Sequence, residues 1–509
     1  MPVIDRYKKT FDCLKNLQSY ENFFAELKGI NAKNQRVTKG ELNKLSVKYG
    51  LPKSTAFSIA SFYGLIKIVE DAEVENTILR CSAPACNMDH KNVTDAECVH
   101  CIGLCDNAPA AIINGKQVKI TENGTIEADK AKILNNQKEK TFLLSPDKCE
   151  YYTERLRNLL TKEPDEIISK ISEANLTGRG GAGFPTGRKL ETVKNADGKK
   201  IVICNADESE PFVFKDRGII ENNPYSVLAG LILAAHCAGS SEIVIYIRGE
   251  YTRQKRILKE AINLFTREMD EKKLGNVDFR IISGAGAYVC GEETALINSA
   301  EGKRGNPESK PPYPAEEGYR NKPTLLSNVE TFAWIFEILD KNIMNADKKV
   351  FSLSGDVKNR GIFEAGLNIS VNDILNKYSG GFSEKQGFAL CGGASGFFIH
   401  PEDYDIPLSE LYQSDAGITS LYISEDSRTL KDVMLYILRF FADESCGQCI
   451  PCFTGYERIH DMLSDYCDVE KKALAIAESM SASTLCGLGK SVLTPLKSYF
   501  KFIKRDSCD

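Results

Sequence analysis

The sequence is poor in the features that mark several functional classes. It has no basic cluster, and 65 Lys and Arg against 70 Asp and Glu leave a formal charge of −5, which argues against nucleic acid as the main partner. Its first thirty residues mix charges throughout, with no secretory leader. The longest apolar run, residues 227–235, is too short to span a bilayer. A cytoplasmic protein without direct membrane insertion is expected. At 509 residues, 42% hydrophobic and 27% charged, the chain suits a soluble protein of three to five domains.

Cysteine is what it has in excess. Seventeen in an acidic chain expected in a reducing compartment point to metal or redox centres rather than disulfides. Nine of them fall into two groups. Cys446, Cys449 and Cys452 form a C-x2-C-x2-C run, with Cys486 about a helix later. Three thiolates in one compact loop and a fourth from another segment suit a [4Fe–4S] cube; a zinc site usually pairs two C-x2-C knuckles or uses His, and no second pair is present. In the other group, Cys81-x4-Cys86 and Cys101-x3-Cys105 suit a [2Fe–2S] centre, each pair holding one iron. Cys98 is surplus, and Cys98-x2-Cys101 also fits half of a zinc or thiol site. Cys13, Cys149, Cys204, Cys237, Cys290, Cys391, Cys467 and Cys508 are isolated and read as buried apolar residues.

The texture of the chain divides it into five parts. Residues 1–75 show apolar spacing of three and four and read as helices. Residues 76–128 are β-rich, with strands either side of an Asn114–Gly115 hairpin turn. A charged segment, residues 127–140, follows. Residues 140–340 alternate strands at 200–204, 242–247 and 278–283 with helices at 224–237 and 252–270 and a third starting at 292, the pattern of a parallel α/β sheet. Residues 346–420 suggest a small α/β roll around one helix, and residues 425–509 return to helices. The fold class is therefore an α/β multidomain protein.

Residues 178–189, GRGGAGFPTGRK, cannot pack a core, but they bring backbone N–H groups and cations close to a phosphate-bearing ligand. The loop lacks the lysine-serine ending of a P-loop and the plain G-x-G-x-x-G register. Two polar stretches, NADESEP at 205–211 and YVCGEET at 288–294, lie just past strands, at the edge where ligands of parallel sheets bind. Their carboxylates can accept bonds from ribose or ribityl hydroxyls. Together the three motifs read as one nucleotide and flavin site.

These motifs, with KPPYP at 310–314, SNVET at 327–331 and SCGQCIPC at 445–452, resemble the FMN- and NADH-binding subunit of respiratory complex I and its relatives in soluble hydrogenases and formate dehydrogenases. The resemblance covers residues 140–509. Residues 1–128 resemble the thioredoxin-like [2Fe–2S] partner subunit of the same enzymes, fused here and shortened, through AFSIASFYGLI, C-x4-C and CIGLCDNAP.

The resemblance implies flavin contacts at Gly178, Arg179, Gly180, Gly181, Gly183, Lys189, Asn205, Asp207, Glu208, Tyr288, Gly291, Asn328 and Thr331. It places Phe184 and Glu210 at the hydride-transfer site, with Glu292 and Glu293 also meeting the nicotinamide nucleotide. It implies a Rossmann-like flavin domain, a ubiquitin-like roll at 346–420 and a helical bundle around the cube. The sequence departs from the family at Phe212, usually Gly, at Ser327, usually Asn, and at Thr192, usually aromatic. Arg188 stands where the family is apolar; a cation there suits a 2′-phosphate, so NAD(H) and NADP(H) both remain open.

The expected function is a diaphorase subunit passing electrons between nicotinamide nucleotide, FMN and iron–sulfur clusters to catalytic and iron–sulfur subunits of a hydrogenase- or formate dehydrogenase-like complex. An electron-bifurcating module, with ferredoxin as a partner, would use the same residues. A non-enzymatic iron–sulfur scaffold is the weaker rival, since it requires a vestigial loop.

Overall fold

The computed structural model describes residues 3–70, 78–89, 96–121, 124–127, 133–275, 277–381, 387–411, 417–425, 430–465 and 469–506, with backbone alone for residues 3–16, 87–89 and 506. Cys467 and Cys508, the side chain of Cys13, and the boundaries expected near residues 76 and 128 lie outside the described residues.

The chain begins with helices α1 (Val3–Asn34), α2 (Lys39–Lys48) and α3 (Lys53–Ala60), with the two-residue strands β1 (Val37–Thr38) and β2 (Ile68–Val69) pairing in parallel. A capping box starts α2: Glu41 N–H donates to Thr38 Oγ1 and Thr38 N–H to Glu41 Oε2. A second unit holds β3 (Ile78–Cys81), β4 (Glu97–Val99), β5 (Ala110–Ile113), β6 (Lys116–Thr121) and β7 (Gly124–Glu127), in spatial order β4-β3-β5-β6-β7. Asn114 and Gly115, at φ 49° and 77°, make the tight turn between β5 and β6. Among its described residues this unit has short 3-10 turns and no α-helix.

The central unit alternates. Helices α4 (Cys149–Leu159), α5 (Pro164–Glu173) and α6 (Thr186–Asn195) precede β8 (Ile201–Ala206); α7 (Lys215–Asn222) and α8 (Pro224–Ala238) lead to β9 (Glu242–Ile247); α9 (Thr252–Glu271) leads to β10 (Asp278–Ser283); α10 (Glu293–Ala300), β11 (Thr324–Asn328) and α11 (Val329–Lys341) complete it. The sheet order is β10-β9-β8-β11 and every pairing is parallel. Strand residues alternate between two buried faces. Val202, Cys204, Ile243 and Ile245 pack with α8, α9 and α11. Ile201, Ile203, Val244 and Tyr246 pack with Phe23, Phe24 and Leu27 of α1, Ile59 of α3 and Leu296 of α10.

The N-terminal helices therefore form the second cover of this sheet and share its core, where a separate helical domain at 1–75 was expected. Backbone bonds reinforce the join, from Gly64 N–H to Gly286 O (2.7 Å) and from Leu65 N–H to Ala285 O (3.0 Å). Their apolar spacing shows that a face is buried; it carries no information on what buries it.

Helix α8 is apolar all round because it lies between the sheet and α11. Their backbones touch: a Cβ at Gly230 would sit 1.7 Å from Phe332 O. Phe212, at a family glycine position, adopts φ 71°. The unfavourable left-handed conformation is offset by complete burial against Tyr422, 4.8 Å between ring centroids.

The fourth unit is a five-stranded sheet, β13-β12-β16-β14-β15, made of β12 (Lys348–Gly355), β13 (Gly361–Gly366), β14 (Phe388–Cys391), β15 (Phe397–Ile399) and β16 (Ser420–Ser424), with α12 (Val371–Tyr378) and the short α13 (Leu408–Leu411). Strand β16 lies in the middle of the sheet, so the unit reaches residue 424, past the expected limit of 420. Val371, Ile374 and Leu375 of α12 pack on Phe351, Phe363 and Ala389. Helices α14 (Leu430–Asp443), α15 (Ile450–Asp465), α16 (Glu470–Ser483) and α17 (Leu493–Asp506) end the chain. No helix among the described residues is long and apolar enough to cross a membrane.

Glu364 on β13 fastens the segment before α4 to the roll by accepting Leu143 N–H at 2.9 Å and Phe142 N–H at 3.4 Å. Burial pushes its carboxyl from the ordinary 4.5 up to about 7. A raised carboxyl pKa gives stability that is complete below the unfolded value and lost as pH rises through the folded value. Glu364→Gln should therefore gain on the native protein by about 3 kcal/mol between pH 4.5 and 7, read as converging or crossing thermal unfolding midpoints. A constant gap across that range would show that Glu364 does not titrate.

Candidate functional site

The glycine loop is closed at its base by two backbone bonds, Gly178 N–H to Phe184 O and Thr186 N–H to Leu176 O, both 2.9 Å. Gly181 and Gly183 hold φ 114° and 64°, conformations that L side chains rarely adopt. Phe184 projects from the loop with 45% of its surface exposed, an available stacking face. Arg179 is turned inward: its side chain is buried and donates to Ala346 O, and its N–H meets Thr331 Oγ1 at 2.9 Å. The Arg179 side chain thus anchors the loop rather than facing a ligand. Gly180 lies over Asn328, where a Cβ would come within 3.2 Å of the Asn328 Cβ.

Lys189, in the first turn of α6, donates to Leu326 O at 2.8 Å and pairs with Glu293. Glu293 also meets Lys310, at 3.2 Å. Burial raises the Glu293 pKa, but the two lysines outweigh it and hold the carboxylate below its usual range. Arg188 is exposed, and the Thr192 hydroxyl is occupied donating to Arg188 O at 2.9 Å.

At the carboxyl end of β8, Asn205 joins two motifs: its Nδ2 donates to Gly291 O (2.9 Å) and its Oδ1 accepts Asp207 N–H (3.0 Å). Glu210 accepts from Ser395 N–H (2.7 Å), from Ser395 Oγ (2.9 Å) and from Tyr288 OH. Burial raises its pKa against these donors. Ser395 belongs to the turn after β14, and Gly393 there has φ 76° with room for nothing more, since a Cβ would lie 2.5 Å from Glu210 Cγ. The roll thus supplies one wall of the site.

The expected acidic contacts divide by what already holds them. Glu208 gives both oxygens to the chain, accepting Asp216 N–H (2.9 Å) and Arg217 N–H (3.1 Å) at the start of α7 and Tyr251 OH (3.1 Å). Glu292 caps α10 by accepting Thr294 N–H (2.8 Å) and Ala295 N–H (3.0 Å), and pairs with Lys310 at 2.9 Å. Asp207 differs, because its Oδ2 is inaccessible and has no partner. Burial pushes the carboxyls of Asp207, Glu208 and Glu444 up to about 7.

Beneath the loop lies a buried ion cluster that sequence reading missed. Lys215 meets Asp216 at 2.6 Å, Glu330 at 3.0 Å and Asn328 Oδ1 at 3.1 Å, and Asn328 Nδ2 donates to Asp216 at 2.6 Å. Burial opposes the ammonium charge, but the carboxylates hold it protonated well above the usual range. Asn328 and Thr331, the expected flavin contacts, are thereby fixed in place. Ser395 and Gly393 were also missed, although CGGAS follows β14 as the other two polar turns follow their strands.

The turn at 288–291 faces two ways. The Tyr288 hydroxyl reaches Glu210, while the Tyr288 N–H donates to Glu444 Oε2 (2.9 Å) and its ring packs edge-on against Phe440 (5.0 Å) and Phe441 (5.9 Å) of α14. Its neighbour Val289 lines a pocket together with Cys446, Cys449, Cys452, Cys486, Thr484 and Leu488. The pocket is mostly apolar; Leu485 N–H donates to Cys449 Sγ, and the Ser445 hydroxyl and Cys452 Sγ meet, both at 3.4 Å.

Cys81, Cys86, Cys101 and Cys105 are buried together, and thiol contacts run from Cys86 through Cys81 and Cys101 to Cys105. Cys98 is exposed on β4 and stands apart. Cys149, Cys204, Cys237, Cys290 and Cys391 are buried. Among the described residues no group of three or more His, Cys, Asp or Glu is placed to hold a single metal ion. One tetrahedral zinc would draw its sulfurs to about 3.8 Å from one another. Thiolates set on different irons of a cluster need no such crowding, and the donor set of four sulfurs in an apolar pocket fits a cube. The unpartnered Asp207 oxygen at the carboxyl edge of the sheet likewise fits a ligand with hydroxyl or N–H donors.

Residues 171–337 match the Nuo51 FMN-binding domain family, and residues 432–507 match the NADH-ubiquinone oxidoreductase-F iron-sulfur binding region. The F subunit of the NADH-quinone oxidoreductase of Aquifex aeolicus is 39% identical over 319 residues, 60% of this chain and 75% of that one. The HndC subunit of the NADP-reducing hydrogenase of Solidesulfovibrio fructosivorans is 35% identical over 67% of this chain and 76% of its own length. A chain of an NAD+-reducing [NiFe]-hydrogenase crystal structure, H2-reduced, superposes with a TM-score of 0.80 and 27% identity, covering 95% of this chain and 91% of that one. Identity of that extent over three quarters of the Aquifex protein goes beyond a shared architecture, and the chain belongs to the family of NADH-quinone oxidoreductase F subunits and their hydrogenase counterparts.

Proposed function

We propose that this chain is the diaphorase subunit of a larger cytoplasmic redox complex, exchanging electrons between NAD(H) or NADP(H), FMN and a [4Fe–4S] cluster, and passing them to partner subunits. The observation that carries this is the two-faced turn: Tyr288 meets the nucleotide-side Glu210 while Val289 lines the cysteine pocket. A two-electron site and a one-electron site are therefore separated by a single packed turn.

Bound FMN supplies the conversion between hydride chemistry and single electrons. The residues do the holding. Gly178, Gly180, Gly181 and Gly183 allow close approach of the backbone, with Lys189, Asn205, Asp207, Gly291, Asn328 and Thr331 around the flavin. Phe184 offers the stacking face for the nicotinamide nucleotide, and Glu210 and Glu293 accept from its hydroxyl or amide donors. Orientation is the main contribution, because hydride transfer needs two rings stacked at fixed distance and no protein acid or base. Cys446, Cys449, Cys452 and Cys486 hold the cube.

The small β-unit is read as a shortened thioredoxin-like domain, fused at the N-terminus, with Cys81, Cys86, Cys101 and Cys105 holding a [2Fe–2S] centre. Superposition of 95% of the chain on one hydrogenase chain supports the fusion. The roll is read as ubiquitin-like. NADP(H) is kept beside NAD(H) because Arg188 is an exposed cation next to Lys189 and because one relative is named an NADP-reducing hydrogenase subunit.

Protein reconstituted with iron and FMN should reduce ferricyanide or a viologen with NADH or NADPH; flavin-loaded protein inert with both nucleotides would overturn the proposal. Cys449→Ser should abolish the cube's EPR signal and leave flavin content unchanged, and a retained signal would remove Cys449 from the ligand set. Ser395→Ala frees Glu210 from a charge-assisted bond and should lower kcat/KM for the nucleotide about tenfold, chiefly through KM, with flavin and iron content unaltered.

A further inference from the structure

We propose that Arg248 couples the four-cysteine site of the small β-unit to the polar turn after β8, setting the reduction potential of a [2Fe–2S] centre there with a cation supplied by the α/β domain. This rests on the reading of those cysteines given above.

Arg248 is the first residue after β9, at the carboxyl edge of the parallel sheet. Its side chain is 3% exposed. The guanidinium donates to three acceptors from different parts of the molecule: Cys101 O in the cysteine loop, Glu208 O in the flavin turn at 2.8 Å, and Glu250 Oε1 at 3.1 Å. It lies over the Tyr251 ring, 5.6 Å from the centroid.

The cysteine loop is shaped to admit it. Gly103, between two ligand cysteines, has φ 71°, and a Cβ there would fall 3.0 Å from Arg248 Nη1 and 2.8 Å from the Tyr251 hydroxyl. A second arginine of the same domain, Arg217, holds the far end of the loop through a buried pair with Asp106, next to Cys105. That pair is self-neutralising. Arg248 also has a carboxylate partner in Glu250, but its guanidinium is shared with two carbonyl oxygens, one of them in the cysteine loop.

Reducing an iron–sulfur centre adds a negative charge to a buried site, so a fixed cation favours the reduced form. Arginine stays charged when buried, and its planar fork serves several acceptors at once. The charge also reaches the flavin side, where it opposes the upward pull of burial on Asp207. Removing it would leave Glu250 without the cation that links it to Cys101 O.

The test is an EPR-monitored redox titration of the full chain carrying FMN and clusters. At the potential where the native [2Fe–2S] centre is half reduced, Arg248→Gln should show a reduced-to-oxidised ratio about tenfold lower, a shift of about 59 mV for one electron. Arg248→Lys should stay close to the native curve, Glu250→Gln should shift it the other way, and the cube should move less than the [2Fe–2S] centre in each. An unmoved midpoint in Arg248→Gln would overturn the proposal and reduce the arginine to a domain fastener. If that variant fails to assemble its cluster, Glu250→Gln decides, since it keeps both arginine bonds to carbonyls; no rise in its midpoint overturns the coupling. Native protein with no [2Fe–2S] signal would overturn the reading of the cysteine site itself, and the coupling with it, while leaving diaphorase activity as a separate measurement.

Discussion

A carboxylate taken out of water costs several kcal/mol unless donors meet it, and the carboxyl edge of the central sheet is crowded with carboxylates. Asp207, Glu208, Glu210, Asp216, Glu250 and Glu330 all lie at or near it. The surrounding structure is arranged to satisfy them. Helix α7 presents its first N–H groups to Glu208, the roll presents Ser395 to Glu210, and Lys215 sits between Asp216 and Glu330. Each solution draws a different unit of the chain against the same edge. The domain arrangement is in this sense a consequence of where the charges stand.

The same constraint sorts the acids by role. Glu208 and Glu292 have both oxygens engaged by helix starts, a hydroxyl or a lysine, so they shape the loops that carry them. Glu293 is shared between two lysines at the rim, and Glu210 is met by two hydroxyls, those of Tyr288 and Ser395, and by the Ser395 N–H. Asp207 retains an unpartnered buried oxygen, as Glu250 does. A ligand completes a site best where the protein has left a group wanting a bond, and less where a helix already supplies one.

Much of this was legible in the sequence, in a graded way. The strand 242–247 was read to the residue because a buried parallel strand is a near-continuous apolar run bounded by polar turns, and the half-buried edge strand 278–283, with Asp278 and Arg280 among its apolar residues, was also placed to the residue. The two polar stretches at 205–211 and 288–294 were placed at one edge by the rule that parallel sheets bind at their carboxyl ends, and Asn205 does bond Gly291 across them. What escaped was partnership. Apolar spacing in 1–75 marked a buried face without naming the sheet that covers it, and acids beside glycines looked alike whether they cap a helix or face a ligand. Glu292 carried a local sign of its role, standing immediately before the helical ETALINSA run, an N-cap position. Ser395 carried a weaker one, a glycine-rich turn after a strand in a unit whose nearness to Glu210 no local pattern encodes.

The position of Phe212 shows how the edge tolerates strain. A phenylalanine at φ 71° is costly, yet the residue lies in the stretch that joins β8 to α7, between Glu210 and the Lys215 cluster. Its ring fills the gap where that stretch meets β16 and α14, packing on Tyr422 and Tyr436. Glycine would relieve the backbone, and any smaller residue would open a cavity at the junction of three units, at about 3 to 5 kcal/mol for a buried phenylalanine truncated to alanine. The left-handed turn is what sends Glu210 toward Ser395 while Asp216 and Lys215 turn down into the ion cluster. Strain at one residue is thus retained because the bonds on both sides of it, and the packing of its own ring, are worth more than the backbone energy it costs.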